Sequence, residues 1–202
     1  MPVMPMYHVP SLRAPLSLLL VGFAAGCSDS VGPRASDSPG SSNAVSVIET
    51  PAAPQSAATF SFRMLDRCEP ESFNAAIGAG TCVGDGKVTF DEFIAELMKK
   101  QTHRQWRNQP MNVAMAAGRA ASVINVGGET HTFTPVAEFG GGFLPDLNGL
   151  SGNPVPAPEC LDFPSIQFVP AGATAALGSL SEGTHRFMCC IHPWMRTTAE
   201  VH

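Results

Sequence analysis

Phe187-Met188-Cys189-Cys190-Ile191-His192-Pro193-Trp194-Met195 places a cysteine, a histidine and a methionine in one short run, Cys189-x-x-His192-x-x-Met195. Runs that read as strands stand on either side, Arg186 to Cys189 before it and Thr197 to Val201 after it. The run is therefore the connection between the last two strands of a sheet. Thiolate, imidazole and thioether are soft or borderline donors, a set suited to a transition metal. Cys190 sits beside Cys189, but side chains alternate faces along a strand, so the two sulfurs cannot both point at one ion.

Outward from this loop, short apolar runs recur between Gly- and Pro-rich turns: Met111 to Met115, Ala121 to Val126, Ser165 to Val169 and Ala173 to Leu177. Strands of this length and spacing, over residues 109–202, predict an antiparallel β-sandwich. The composition agrees, since 19 Gly and 18 Pro among 202 residues, with 14% charged, favour turns and strands over helical bundles. A second pattern, Asn125-Val126-Gly127-Gly128-Glu129-Thr130-His131-Thr132-Phe133, reads as a strand, a turn and a histidine.

Together the two patterns resemble the ligand set of the cupredoxins, the small blue copper proteins, with an amicyanin- or plastocyanin-like ligand loop. The resemblance covers roughly Pro110 to His202. It implies a mainly β, Greek-key sandwich and one type 1 copper ion held by His131, Cys189, His192 and Met195. A trigonal pair of imidazoles with a thiolate and a weak axial thioether is the diagnostic blue-copper set. It further implies that His192 shows its ring edge at the surface, where Pro193 and Trp194 belong to an apolar docking patch for a redox protein such as a cytochrome or an oxidoreductase. The Gly140 to Pro158 insertion and the segment before residue 109 lie outside the family pattern.

Cys189 gives the family spacing to His192, which leaves Cys190 to be explained. With Cys68 and Cys82 paired across a short helix, as suits an exported chain, Cys160 and Cys190 remain as a second pair. A vicinal Cys189–Cys190 disulfide is the competing arrangement, and other pairings stay open on sequence grounds.

The first residues read as an address. Arg13 precedes the apolar run Leu16 to Ala25, and Ala24-Ala25-Gly26-Cys27 resembles the lipobox of bacterial lipoproteins. Residues 1–26 are then a signal peptide, with Cys27 the lipidated first residue; ordinary cleavage that leaves a free thiol is the alternative. Residues 27–59 are rich in Ser, Pro and Ala, and so poor in large apolar side chains that they read as a disordered tether. The expectation is an exported protein, periplasmic or at the cell surface, held to a membrane by lipid alone. No apolar run reaches the roughly 20 residues of a spanning helix.

Residues 60–108 read as a small helical disulfide module. Glu69 to Ile77 has the look of a short helix, and Thr89-Phe90-Asp91-Glu92 fits a capping box ahead of an apolar stripe at Phe90, Phe93, Ile94, Leu97 and Met98. Asp85 to Phe93 resembles the back half of an EF-hand, but Thr81 and Val83 at its first and third ligand positions supply no carboxylate. His103, among Lys99, Lys100, Arg104 and Arg107, reads as a solvated basic helix end.

Several classes are excluded. A net charge of −5 leaves no basic footprint for nucleic acid. The chain has no G-x-S-x-G elbow, H-E-x-x-H helix or phosphate-cradling glycine loop, and no paired His-x-His motifs of a multicopper oxidase, so no enzyme is expected. Three readings remain: a mononuclear copper protein carrying single electrons, a copper-binding or delivery module without a redox partner, and a structural sandwich.

Overall fold

A computed structural model of the chain describes residues 58–202. The signal peptide, Cys27 and nearly all of the tether lie outside the described residues. The elements run in the order β1 (Phe60–Leu65), α1 (Pro70–Ile77), α2 (Phe90–Lys100), β2 (Arg107–Gln109), β3 (Asn112–Met115), β4 (Ala120–Asn125), β5 (His131–Thr132), β6 (Thr134–Val136), α3 (Pro145–Leu150), β7 (Phe168–Val169), β8 (Thr174–Ser179), β9 (Gly183–Met188) and β10 (Arg196–Val201).

The strands form a β-sandwich. One sheet has the order β2-β1-β4-β8, the other β3-β10-β9-β6, and β5 pairs with β7 in a short ribbon. Pairing is mixed, because β1 lies parallel to β4 and β3 parallel to β10, while the remaining pairs are antiparallel. The side chains explain the layering. On β1, Phe62 and Met64 are fully buried while Ser61 and Arg63 face out, the period-two pattern of a half-buried strand. Phe62 meets Phe133 at 5.3 Å and Phe187 of β9 at 6.1 Å between ring centroids, which brings both sheets into one core.

β1 lies within the stretch that the sequence assigns to the helical module. Its alternating Phe-Ser-Phe-Arg-Met run pairs with β4 from Phe60↔Ala121 to Met64↔Asn125, so the sandwich begins at residue 60 and the helices are inserted between β1 and β2. Glu69 caps α1 by accepting from the Glu71 and Ser72 amides at 2.9 and 2.7 Å, and Pro70 occupies its first turn. α2 begins with the Thr89–Glu92 capping box. Its apolar stripe buries Phe93 and Leu97 against Phe73 of α1 and against Trp106, whose ring stacks on Phe73 at 5.7 Å. These side chains join the same buried cluster as the sandwich core.

The readings of Met111 to Met115, Ala121 to Val126, Ala173 to Leu177, Arg186 to Cys189 and Thr197 to Val201 correspond to β3, β4, β8, β9 and β10 with shifted ends. Ser165 to Val169 differs: Phe163–Ser165 is a 3-10 turn, and only Phe168–Val169 forms a strand. Two disulfides, Cys68–Cys82 and Cys160–Cys190, are present. Among the described residues no helix is long and apolar enough to cross a membrane.

Candidate metal centre

β9 delivers Cys189 to one end of the sandwich, and the β5–β7 ribbon delivers His131 to the same place. The loop back into β10 brings His192. It is closed by two backbone hydrogen bonds, from the Cys189 amide to the Met195 carbonyl at 3.0 Å and from the Met195 amide to the His192 carbonyl at 2.9 Å. The donor atoms converge: Nδ1 of His131 lies 3.2 Å from Nδ1 of His192, and each is 3.8 Å from the Cys189 sulfur. All three residues are buried. Two bonds of about 2.0–2.3 Å meeting at one ion would span edges of this length, so the set fits a single N- and S-bound metal.

The electrostatics suit a cation. Burial opposes the Cys189 thiolate, yet hydrogen bonds and charge from His131 and His192 hold the thiol well below its ordinary value. The Thr132 amide, 3.3 Å away, also donates to the sulfur. For His131, burial opposes the imidazolium, but Asp66 and Cys189 outweigh it and raise the group to about 10.

Cys189 and Cys190 point into different environments. Cys189 belongs to the main core with Met195, whereas Cys190 lies in a second cluster with Val136, Ala157, Ile166 and its disulfide partner Cys160. Cys189 is the free cysteine among the described residues. Met195 is fully buried beside it in the loop.

The surroundings of His192 differ from what the resemblance implies. The residue is only 3% exposed, and Pro193 is buried as well. Phe93 of α2 meets the imidazole edge-on at 6.2 Å between centroids, and half-buried Trp194 packs against both at 5.4 and 6.0 Å. The inserted helices thus cover the ring that was expected at the surface. Beside this cover lies an apolar cavity of about 590 Å³, walled by Phe93, Ile94, Phe143, Leu147 and Ile191, with His192 and Glu129 in its lining.

His103 is also different from its expected solvated state. It is 2% exposed, with its ring 4.5 Å from Trp106 and 5.6 Å from Phe93, and burial pushes its pKa down. The chain turns back after α2, which carries the histidine under the helix instead of into solvent. The His185 ring hydrogen-bonds with the nearby Ser181 carbonyl and stacks on Phe187, and His202 is exposed at the chain end.

Asp66 and Glu129 escaped the sequence reading. Asp66 follows β1 and has no motif around it. Glu129 is two residues before His131 inside the quoted strand-turn-histidine pattern, and this closeness was the available signal.

No protein-family model and no curated protein matches the chain. Among solved structures, a purple cupredoxin from Nitrosopumilus maritimus matches at 15% identity and TM-score 0.33, over 50% of this chain and 86% of that one. An amicyanin variant in its Cu(I) form matches at 16% identity and TM-score 0.33, over 48% of this chain and 73% of that one. Oxidised plastocyanin from Dryopteris crassirhizoma matches at 18% identity and TM-score 0.32, over 48% of this chain and 89% of that one.

Proposed function

We propose that the protein is a mononuclear type 1 copper protein that carries single electrons between redox partners outside the cytoplasm. The observation that carries this reading is the buried triangle of two Nδ1 atoms and one sulfur, at 3.2, 3.8 and 3.8 Å. Cys189, His131 and His192 would hold the ion, and Met195, in the same closed loop, would be its weak axial donor. Bound copper supplies a one-electron couple, and a soft thiolate with two imidazoles serves both of its oxidation states.

The chain's own residues have three tasks in this reading. Cys189 presents a thiolate, kept so by the two imidazoles and the Thr132 amide. The Cys189–Met195 backbone bonds hold the loop in shape. Phe93 and Trp194 pack against the His192 imidazole and keep water from it. A site held this firmly has little rearrangement to make when an electron moves, which favours a carrier over a delivery module with open, exchangeable donors. A cytochrome or oxidoreductase partner would meet the chain near Trp194, the half-buried member of the pair read as a docking patch. The lipobox-like Cys27 supports export with a lipid anchor.

The test is a visible spectrum of the purified protein titrated with Cu(II). An intense blue band that saturates at one copper per chain is the expected result. Tight binding without the band would move the reading to copper delivery, and no binding by folded protein would leave a structural sandwich.

A further inference from the structure

Each imidazole of the centre has a buried carboxylate behind it. Nε2 of His131 is 2.8 Å from Oδ2 of Asp66, a fully buried pair. Nε2 of His192 is 3.8 Å from Oε2 of Glu129, which is 6% exposed and also accepts from the Trp106 indole. Both rings therefore turn Nδ1 toward Cys189 and Nε2 toward an acid.

The acids are fixed independently of the rings. Asp66 accepts from the Cys68 amide at 3.2 Å, the Gly128 amide at 2.9 Å and the Glu129 amide at 3.0 Å. The chain approaches so closely here that a Cβ on Gly127 would collide with the Asp66 carboxylate. Asp66, Cys68 and Glu129 also bring three potential donors together, but Cys68 is bonded to Cys82, so this cluster is not itself a metal site. It forms an outer layer around the first set of donors.

We propose that Asp66 is a positioning residue of the centre that orients the His131 imidazole, and that Asp66 and Glu129 together bias a bound copper ion toward Cu(II), giving it a lower reduction potential than the same four donors would have alone. The inference rests on the copper reading above. Its physical basis is simple. Asp66 accepts from the remote nitrogen of His131 at 2.8 Å and so makes the ligating nitrogen more basic, whereas Glu129, 3.8 Å from the remote nitrogen of His192, acts through charge alone. A fixed negative charge in a poorly solvated site also stabilises a doubly charged ion more than a singly charged one. The chain that covers His192 strengthens both effects by excluding water.

The experiment uses the full-length protein, loaded with copper, and its Asp66→Asn and Glu129→Gln variants. Reduction potentials are read by spectroelectrochemical titration at one pH, with Cu(I) and Cu(II) affinities measured against chelators. Each variant should keep the blue band and one copper per chain, while Cu(II) affinity falls at least tenfold relative to Cu(I). That change is a rise of about 59 mV for a one-electron couple. Glu200→Gln, which removes an exposed carboxylate from β10, should leave the potential in place. Blue variants whose potentials stay with the parent would overturn the proposal while leaving the copper reading intact. Absence of the band in the parent protein would remove the copper reading, and this inference with it. If Asp66→Asn fails to fold, Glu129→Gln decides alone, because glutamine can still accept from Trp106.

Discussion

Phe93 stands perpendicular to His192, ring planes 88° apart and centroids 6.2 Å apart, and it reaches this position from a helix inserted between two strands of the sandwich. The contact separates the innermost ligand loop from solvent. Phe93→Ala should cost about 3–5 kcal/mol, as for other buried aromatics. It should also speed removal of copper by an external chelator at least tenfold, since the cover over His192 is thinned. Thermal unfolding and the rate of colour loss in excess chelator check both parts.

The adjacent cysteines should behave differently. Cys189→Ser removes the thiolate and should abolish the blue band. Cys190→Ser should retain it, because the sulfur of Cys190 faces the other apolar cluster. It opens a disulfide spanning 30 residues, worth about 3–4 kcal/mol in the chain-entropy model, so the melting temperature should fall. A colourless but folded Cys190→Ser protein would contradict the assignment.

In the metal-free protein the Asp66–His131 pair makes stability depend on pH in both directions. Asp66 is buried, which opposes its ionisation, but the hydrogen bond and charge of His131 lower it from 3.8 to about 2. Its contribution, roughly 2 kcal/mol, is therefore complete above its unfolded value and disappears as the pH falls through about 2. His131 is raised from 6.5 to about 10, so its share is complete below 6.5 and is lost as the pH rises through about 10. The pair thus stabilises most between about pH 4 and 6.5. Urea unfolding of metal-free protein should show the loss of stability on the acid side, and Asp66→Asn should remove that loss while leaving part of the alkaline one, which Cys189 also supports.

Gly127→Ala tests the packing between the two acids and the turn. The added Cβ would meet the Asp66 carboxylate and the backbone amide behind it, so one of them must move. The variant should lose about 1–3 kcal/mol through overpacking, read as a shift in the urea midpoint.

The parts of the centre that could be read from the sequence were those written within a few residues of one another. Cys189, His192 and Met195 share one loop, so the family resemblance that implies a donor set could be read from their spacing. His131 needed its turn context. Asp66 was beyond reach, since it lies 65 residues before His131 and acquires its role only when β1 pairs with β4. β1 itself carried a signal, the alternation Phe60, Phe62, Met64, which was outweighed by the helical patterns that follow it. His103 misled for a related reason: a run of basic neighbours suggests solvent, but whether a side chain is covered depends on where the chain turns after α2. Burial of His192 is likewise a property of an insertion, invisible in the nine residues of the loop.

The pairing of β3 with β10 links Asn112 to Thr198, and that of β1 with β4 links Phe60 to Ala121. Contacts of such long sequence separation require large loops to close before they return any stabilisation, which places this chain among slow folders. An unfolded chain would offer an incoming ion only the four-residue fragment from Cys189 to His192 at high local concentration, whereas His131 is 58 residues from Cys189. Strong capture of an ion would consequently be a late event, coupled to completion of the sandwich, and a metal bound there would add its binding free energy to the stability of the native state.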